Sequence, residues 1–242
     1  MKTRIIYDAL ICTTMMISIF AFIQLVSNWQ IDNEERFLKK QFQEKLQDRS
    51  SSKEDEPIVD DHFYGFLVFE ELHMNEMIMQ GSDNVYYLNH LPDGTVSEKG
   101  TLFIDCENGK EDMNTVLYGH HVFYENTRLT PLLTLMDQDV FDRAHRFEII
   151  TPKEKVVYDI ISINIFDGAV DHDIDYRVKN FDQKGFDDYL NWLKKGNLIV
   201  SKEELSFQDH FLTIQTCYER EGRKRVIFTC RRVKEKEDMR DC

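Results

Sequence analysis

The sequence predicts a mainly β domain, either an antiparallel sandwich or a barrel, with peripheral helices and a single transmembrane helix before it. Three observations lead to this fold class. Short runs rich in β-branched and aromatic residues recur along the chain, only two stretches among them show helical periodicity, and the chain opens with a long uncharged apolar segment.

The predicted strands are short and regularly spaced, which is the pattern of an antiparallel sandwich or barrel. They cover residues 65–69, 101–105, 115–118, 147–151, 156–166, 211–216 and 225–233. A short helical pattern interrupts them at residues 127–136, and a longer one begins at Asp182 and would end at Gly196 and Asn197. The apolar face of the longer helix consists of Phe186, Tyr189, Leu190 and Leu193.

Charge and composition exclude several function classes. The chain of 242 residues carries 30 Lys and Arg against 44 Asp and Glu, a formal net charge of −14. So negative a chain is a poor partner for phosphate backbones, and nucleic-acid binding is not expected. The 42% of hydrophobic residues suffices for a buried core, and the length allows one large domain with an extra segment.

The N-terminal segment predicts a membrane anchor. Lys2 and Arg4 precede residues 9–26, which carry no charge and would span about 27 Å as a helix, close to the thickness of a bilayer's apolar core. Positive charges before the span and acidic residues from Asp32 onwards place the N-terminus in the cytoplasm and the remainder outside the cell. A cleavable signal peptide and a buried core helix are the alternatives, although no A-x-A-like cleavage site follows the apolar stretch.

The chain is predicted to have three parts. Residues 1–30 form a cytoplasmic stub and the anchor, residues 31–59 a helical stalk and linker, and residues 60–242 the extracytoplasmic folded domain. The stalk helix would begin at an Asn33 cap, and the charged, Ser-rich residues 48–56 have the composition of a linker.

Cys217 is the candidate nucleophile. It ends the alternating strand of residues 211–217 and a polar turn follows it, so its thiol can meet a substrate. An antiparallel hairpin would fold Arg225 back beside Cys217, where a fixed positive charge favours the thiolate and can hold a developing oxyanion. The alternative is a buried structural cysteine with Arg225 on a solvated strand. Three further cysteines outside the anchor leave disulfide pairing open: Cys106, Cys230 and Cys242.

The candidate acid and base is a histidine that follows another strand. Residues 115–118 run into Gly119 and then present His120 and His121. Imidazole can take up and release a proton near neutral pH. Neighbouring strand residues point to opposite faces, so we expect at most one of the pair to face the site, which argues against a metal held by both. The alternative is an ordinary surface histidine, and no other spacing in the chain indicates a metal site.

These residues together resemble the site of a known family. Thr216 and Cys217 end one strand, Arg225 opens the next, and His120 lies upstream directly after Tyr-Gly. This arrangement is similar to the His, Cys and Arg sites of the sortases, the membrane-anchored cysteine transpeptidases of Gram-positive bacteria. The resemblance covers about residues 60–233 and is greatest to class B. Further class B features are the sequence DNVYYL at 83–88, the strand at 100–105, the second histidine and the long helix before the catalytic strand.

The resemblance implies a closed sortase-type β-barrel and a role for each site residue. Cys217 would be the nucleophile, His120 the general acid and base, and Arg225 the partner of the oxyanion or substrate carbonyl. The implied substrate-binding residues are Asn84, Leu88 and Thr216. Family members usually have Leu followed by Ser or Thr before the Thr-Cys pair, whereas this chain has Ile214 and Gln215.

The implied function is a transpeptidase that cleaves the C-terminal sorting signal of a surface protein through a Cys thioester and transfers the acyl group to an amine of a cell-wall precursor. This chemistry requires no metal or organic cofactor. One alternative is a class B sortase that polymerises pilins through a lysine amine, and another is a membrane-tethered binding domain without catalysis. Papain-like hydrolases are disfavoured because their Cys precedes their His, whereas Cys217 follows His120.

Overall fold

The structure is a computed structural model, and it describes residues 2–49, 61–171, 175–194, 197–200, 205–220 and 222–233. The chain divides into two compact units, Met1–Glu54 and Asp55–Cys242. Residues 50–60, which include most of the predicted linker at residues 48–56, lie outside the described residues, and so does Cys242.

The N-terminal unit contains one long helix, α1 (Lys2–Arg49). Its segment Leu10–Glu44 is long and apolar enough to cross a membrane, by length and composition. The sequence predicted a separate stalk helix with a cap at Asn33, but the structure has one continuous helix through this residue. The reason is that residues 2–49 contain neither Gly nor Pro, so nothing interrupts the backbone hydrogen bonds of the helix.

The described part of the second unit contains nine β-strands. They are β1 (Phe63–Phe69), β2 (Met74–Met79), β3 (Leu102–Ile104), β4 (Asn114–Tyr118), β5 (Arg146–Ile150), β6 (Lys155–Asp167), β7 (Asn197–Val200), β8 (Phe211–Cys217) and β9 (Lys224–Arg232). The helices between them are α2 (Gln138–Phe141) and α3 (Gln183–Lys194), with 3₁₀ turns at Glu70–Leu72, Tyr86–Leu88 and Thr130–Met136.

Eight of the strands close into a barrel. The order around it is β1-β2-β3-β4-β8-β9-β6-β5, and β5 pairs again with β1. The long β6 pairs with β5 through its first residues and with β7 further along, so β7 extends the sheet beside the barrel. The prediction of a mainly β, closed barrel with peripheral helices is confirmed. Pairing differs from the antiparallel expectation in two places, because β2–β3 and β4–β8 are parallel.

Two apolar cores follow from the alternation of side chains along the strands. Leu212 and Ile214 of β8 belong to the cluster that fills the barrel, whereas Phe211 belongs to a second cluster with α3. Because β8 side chains alternate, Cys217 lies on the same outer surface as Phe211. The face predicted for α3 is confirmed: its buried or partly buried members are Phe186, Tyr189, Leu190 and Leu193.

Candidate active site

The centre of the candidate site is the turn end of the β8–β9 hairpin. Cys217 is the last residue of β8, and the strand register places Arg225 of β9 directly opposite it. Directly opposed residues of an antiparallel pair project from the same side of the sheet, so the thiol and the guanidinium share the outer surface. Cys217 is half-buried, as a nucleophile that must both be held and be reached would be.

The Arg225 side chain curls towards the turn that joins the two strands. Its Nη1 donates to the carbonyl of Gly222 and, at 3.3 Å, to that of Lys224. Gly222 has a φ of 71°, a left-handed conformation that favours glycine and aims this carbonyl at the guanidinium. The other N–H donors of Arg225 have no protein acceptor within the described residues, so they can meet a carbonyl oxygen brought to Cys217.

The histidine turn lies beside this hairpin because β4 runs parallel to β8. Tyr118 at the end of β4 pairs with Gln215, and the amide of Gly119 donates to the Gln215 carbonyl at 3.3 Å. A Cβ atom on Gly119 would collide with the Leu102 side chain and lie 2.9 Å from that of Leu129, so a larger residue would fit here only if these buried leucines moved. His120 follows directly after this glycine.

The imidazole of His120 is held by a backbone carbonyl. Its Nε2 lies 2.6 Å from the carbonyl oxygen of Leu88. A carbonyl only accepts, so Nε2 carries the hydrogen and Nδ1 is left as the ring atom that can exchange a proton with a substrate. Among the described residues the ring makes no hydrogen bond to the thiol of Cys217.

His121 reaches the backbone of the candidate nucleophile. Its Nδ1 donates to the Cys217 carbonyl at 3.2 Å, and its ring lies 4.0 Å from that of Phe123. Burial lowers the pKa of His121, and the bond to the Cys217 carbonyl opposes this only in part. We expected one histidine of the pair to face the site, yet both contact site residues. The difference arises because the turn at Gly119 ends the strand, so the alternation of side chains does not continue through the pair.

The substrate-binding residues taken from the resemblance fall into different environments. Leu88 is 37% exposed, and its carbonyl holds His120, so its side chain can contact a peptide beside the imidazole. Thr216 is 1% exposed and follows the alternation of the residues that fill the barrel. Its hydroxyl therefore points away from the surface that carries Cys217.

Both polar groups of the Asn84 side chain are committed to hydrogen bonds within the protein. Its Nδ2 donates to Asp105 at 3.0 Å, and its Oδ1 accepts from the amide of Cys106 at 2.8 Å. Asp105 also accepts from the Tyr118 hydroxyl at 2.8 Å and lies 3.2 Å from the Lys179 ammonium. Burial alone would raise the pKa of Asp105, but hydrogen bonds and the Lys179 charge hold it below the usual value. Asn84 therefore helps to fix the segment before Leu88.

One neighbour of Cys217 was missed by sequence reasoning. Gln215, two residues before Cys217, accepts a hydrogen bond from the Tyr176 hydroxyl. Alternation along β8 places Gln215 and Cys217 on one surface, and this pattern alone could have drawn attention to Gln215. Tyr176 lies in the loop between β6 and α3, where no periodic pattern indicates a partner.

The other cysteines offer a contrast to Cys217. Cys12, Cys106, Cys217 and Cys230 are free thiols. Cys230 is fully buried, and burial raises the pKa of its thiol well above the usual value, so it is inert as a nucleophile. Within the described ranges, no group of three or more His, Cys, Asp or Glu side chains could hold a metal ion.

Two curated relatives match this chain, although no protein-family profile does. Sortase B of Listeria monocytogenes is 26% identical over 156 residues, which cover 63% of this chain and 61% of the relative, less than two thirds of its length. Sortase B of Staphylococcus aureus is 24% identical over 237 residues, which cover 93% of this chain and 95% of the relative.

Solved structures with the same fold carry the same name. A Staphylococcus aureus sortase B–substrate complex superposes with a TM-score of 0.72 at 22% identity, over 85% of this chain and 99% of that chain. A sortase B complexed with triglycine gives 0.73 at 21% identity, over 86% and 100%. The barrel is therefore a sortase-type barrel. In sequence as well as in fold, the chain is therefore similar to the class B sortases.

Proposed function

We propose that this chain is a membrane-anchored sortase that cleaves the C-terminal sorting signal of surface proteins and transfers the acyl group to an amine of a cell-wall precursor. The observation that carries the proposal is the pairing of Cys217 with Arg225 at the end of β8 and β9, next to a histidine turn that is bonded to the Cys217 backbone. A thiol, an imidazole and a guanidinium on one surface are the groups that acyl transfer needs.

The first half-reaction forms an acyl-enzyme. The thiolate of Cys217 attacks the scissile carbonyl, and the oxygen becomes anionic as the carbon becomes tetrahedral. Arg225 stabilises this oxyanion through its uncommitted N–H donors. When the C–N bond breaks, Nδ1 of His120 donates a proton to the departing amine. The products are a thioester on Cys217 and the released C-terminal fragment.

The second half-reaction consumes the thioester. An amine attacks the thioester carbonyl, Arg225 again holds the oxyanion, and Nδ1 of His120 takes the proton that the amine loses. Breaking the C–S bond regenerates the Cys217 thiolate and leaves a new amide. The triglycine and substrate complexes of sortase B named above support an amine acceptor and a signal-bearing donor for this chain as well.

The location follows from the same proposal. We infer that α1 anchors the protein in the cell membrane with the N-terminus in the cytoplasm, since Lys2 and Arg4 precede the apolar span and acidic residues follow it. Protease added to intact spheroplasts should then digest the barrel and spare an N-terminal tag. Protection of the barrel together with digestion of the tag would contradict this orientation.

A peptide assay tests the activity. The full chain in detergent is incubated with sorting-signal peptides and triglycine, and mass spectrometry follows the enzyme and the products. We expect a mass increase on Cys217 and a peptide–triglycine amide, with Cys106→Ala as an active control. A lysine amide that outcompetes triglycine would indicate pilin polymerisation. Neither acyl-enzyme nor product across the panel would favour the non-catalytic binding domain.

A further inference from the structure

We propose that the buried ion pair Glu76–Arg128 positions the imidazole of His120, so that both are positioning residues for proton transfer. The inference rests on the proposed function, because it concerns how the candidate acid and base is held. Nothing in the sequence pattern singles out these two residues. Glu76 lies within β2, and Arg128 lies in the loop between the histidine turn and the following 3₁₀ turn.

Arg128 is held in a costly state. Its side chain is 2% exposed, and its φ of 57° is a left-handed conformation that residues with a Cβ seldom adopt. Nη1 lies 3.0 Å from Glu76 Oε2, and the backbone amide of Arg128 donates to Glu76 Oε1 at 3.3 Å. A buried pair contributes little net stability compared with apolar residues, and backbone strain persists where surrounding contacts impose it. We therefore expect this pair to fix the position of the residues around it.

Arg128 fixes the backbone of the histidine turn. It forms an antiparallel bridge with His121, and the amide of the next residue, Leu129, donates to the His120 carbonyl at 3.1 Å. The turn that carries both histidines is thereby tied to the residue that Glu76 holds. A shift of Arg128 would move the Cα of His120 with it.

Arg128 also supports the carbonyl that orients the ring. Its Nε donates to the carbonyl of Gly100 at 2.8 Å. Gly100 lies so close to the 3₁₀ turn Tyr86–Leu88 that a Cβ atom on Gly100 would be 2.6 Å from the Leu88 carbonyl oxygen. That oxygen accepts the hydrogen bond from His120 Nε2. Arg128 therefore reaches both supports of His120: its backbone is paired with the turn that carries the histidine, and its guanidinium bonds the Gly100 carbonyl close to the oxygen that holds the ring.

A second ion pair in the barrel provides a matched control. Arg146 Nε lies 2.6 Å from Asp159 Oδ1, and Asp159 is also buried, although Arg146 is 59% exposed. Asp159 faces Arg231 across β6 and β9, whereas Arg225 beside the nucleophile is at the opposite end of β9. Loss of this pair should change stability without reaching His120.

The test compares Glu76→Gln with Asp159→Asn in the full chain in detergent. Three quantities are measured: the melting temperature, kcat and KM for a sorting-signal peptide, and the ¹⁵N side-chain signals of His120. We expect Glu76→Gln to lower kcat at least about 10-fold with KM within about 3-fold, and to shift the His120 Nε2 signal, because the acid and base is misplaced rather than the substrate lost. Asp159→Asn should change neither kcat nor that signal.

A second variant covers the case in which Glu76→Gln fails to fold. Arg128→Lys keeps the charge opposite Glu76 but cannot bond the carboxylate and the Gly100 carbonyl together, so it should fold and still displace the His120 signal. An unchanged His120 signal and unchanged kcat in a folded variant would overturn the proposal. If wild-type protein turns over no peptide, the proposed function fails, and the His120 signal alone then decides whether the ion pair positions the ring.

Discussion

The two ends of the β8–β9 hairpin are built for different purposes. At one end Phe211 is buried beneath α3, with its ring 6.0 Å from that of Phe186 and 6.1 Å from that of Tyr189. At the other end Thr216 Oγ1 and Glu219 Oε1 are buried without a hydrogen-bond partner among the described residues. One end is saturated with packing contacts, and the other keeps polar atoms uncommitted.

This difference shows where the hairpin obtains its stability and where it gives stability up. Aromatic packing removes apolar surface from water and stabilises the fold, whereas an unpaired buried polar atom costs free energy. Unsatisfied buried polar groups are few in a folded protein, and a catalytic role is one of the reasons for which they are kept. We infer that the Phe211 end holds the two strands in register. The Cys217 end can then present a thiol beside a guanidinium whose remaining N–H groups have no protein acceptor among the described residues.

The largest expected effect separates the two ends directly. Cys217→Ala should reduce peptide turnover to background, a loss of about 10⁴-fold or more, and leave the melting temperature nearly unchanged, because it removes the nucleophile alone. Phe211→Ala should destabilise the fold by about 3–5 kcal/mol through loss of buried surface and the cavity left behind. Turnover and thermal melts of both variants check this. Substantial turnover by Cys217→Ala would refute the assignment of the nucleophile.

The next effect tests the positive charge of Arg225 at the turn end of the hairpin. Arg225→Lys should lower kcat/KM by about 10²-fold or more, because a lysine lacks the planar fork that can bond the turn carbonyls and an oxyanion together. Arg223→Ala and Lys224→Ala should change kcat/KM by less than about 10-fold. Steady-state kinetics on all three variants decide the matter. A crippled Arg223→Ala with a mild Arg225→Lys would move the role to Arg223.

Two threonines on one strand provide a smaller effect with opposite signs. Thr213 donates to Asn114 Oδ1 at 2.9 Å, whereas the Thr216 hydroxyl has no partner among the described residues. Thr216→Val should therefore stabilise the fold by about 1 kcal/mol, and Thr213→Val should destabilise it by about 1–2 kcal/mol, since valine keeps the shape and removes the hydroxyl. Urea unfolding measures both. Destabilisation by Thr216→Val would show that its hydroxyl is bonded in solution.

The smallest expected effect is a pH dependence of stability that arises at the turn end of the hairpin. The pKa of His121 is lower in the folded protein than in the unfolded chain, so between the two pKa values the unfolded chain binds more protons. The stability from neutral His121 is complete above about pH 6.5 and is lost as the pH falls through the folded-state pKa. His121→Asn should make the melting temperature fall less between pH 7 and pH 5. An equal fall in wild type and variant would exclude this contribution.

The predictions from the sequence succeeded where a local pattern carries the information. Alternation along residues 211–217 and the polar turn after them predict the strand, the hairpin and the position of Arg225 opposite Cys217. Strand β2, with the sequence MNEMIM, was missed because methionine and glutamate have no β preference. Strand β7 was missed because four residues directly after a helix give too short a pattern.

The geometry of the site could be predicted only in part. The contact of His121 with the Cys217 carbonyl depends on the parallel pairing of β4 with β8, which no local pattern encodes. The bond of His120 to the Leu88 carbonyl joins a backbone atom whose position no side-chain pattern reports. Burial of Arg128 was equally invisible, because a lone arginine in a loop is usually exposed.

The parallel pairing of β4 with β8 also determines when Cys217 acquires its neighbours during folding. The two strands pair residues 97 positions apart, such as Tyr118 with Gln215, and contacts so distant in sequence form late and slowly. β4 is synthesised before β8, so the edge that β8 covers in the folded protein stays unpaired until β8 follows. Until β8 has paired with both β4 and β9, Cys217 has neither the histidine turn nor Arg225 beside it, so in the proposed function the topology itself assembles the reacting groups.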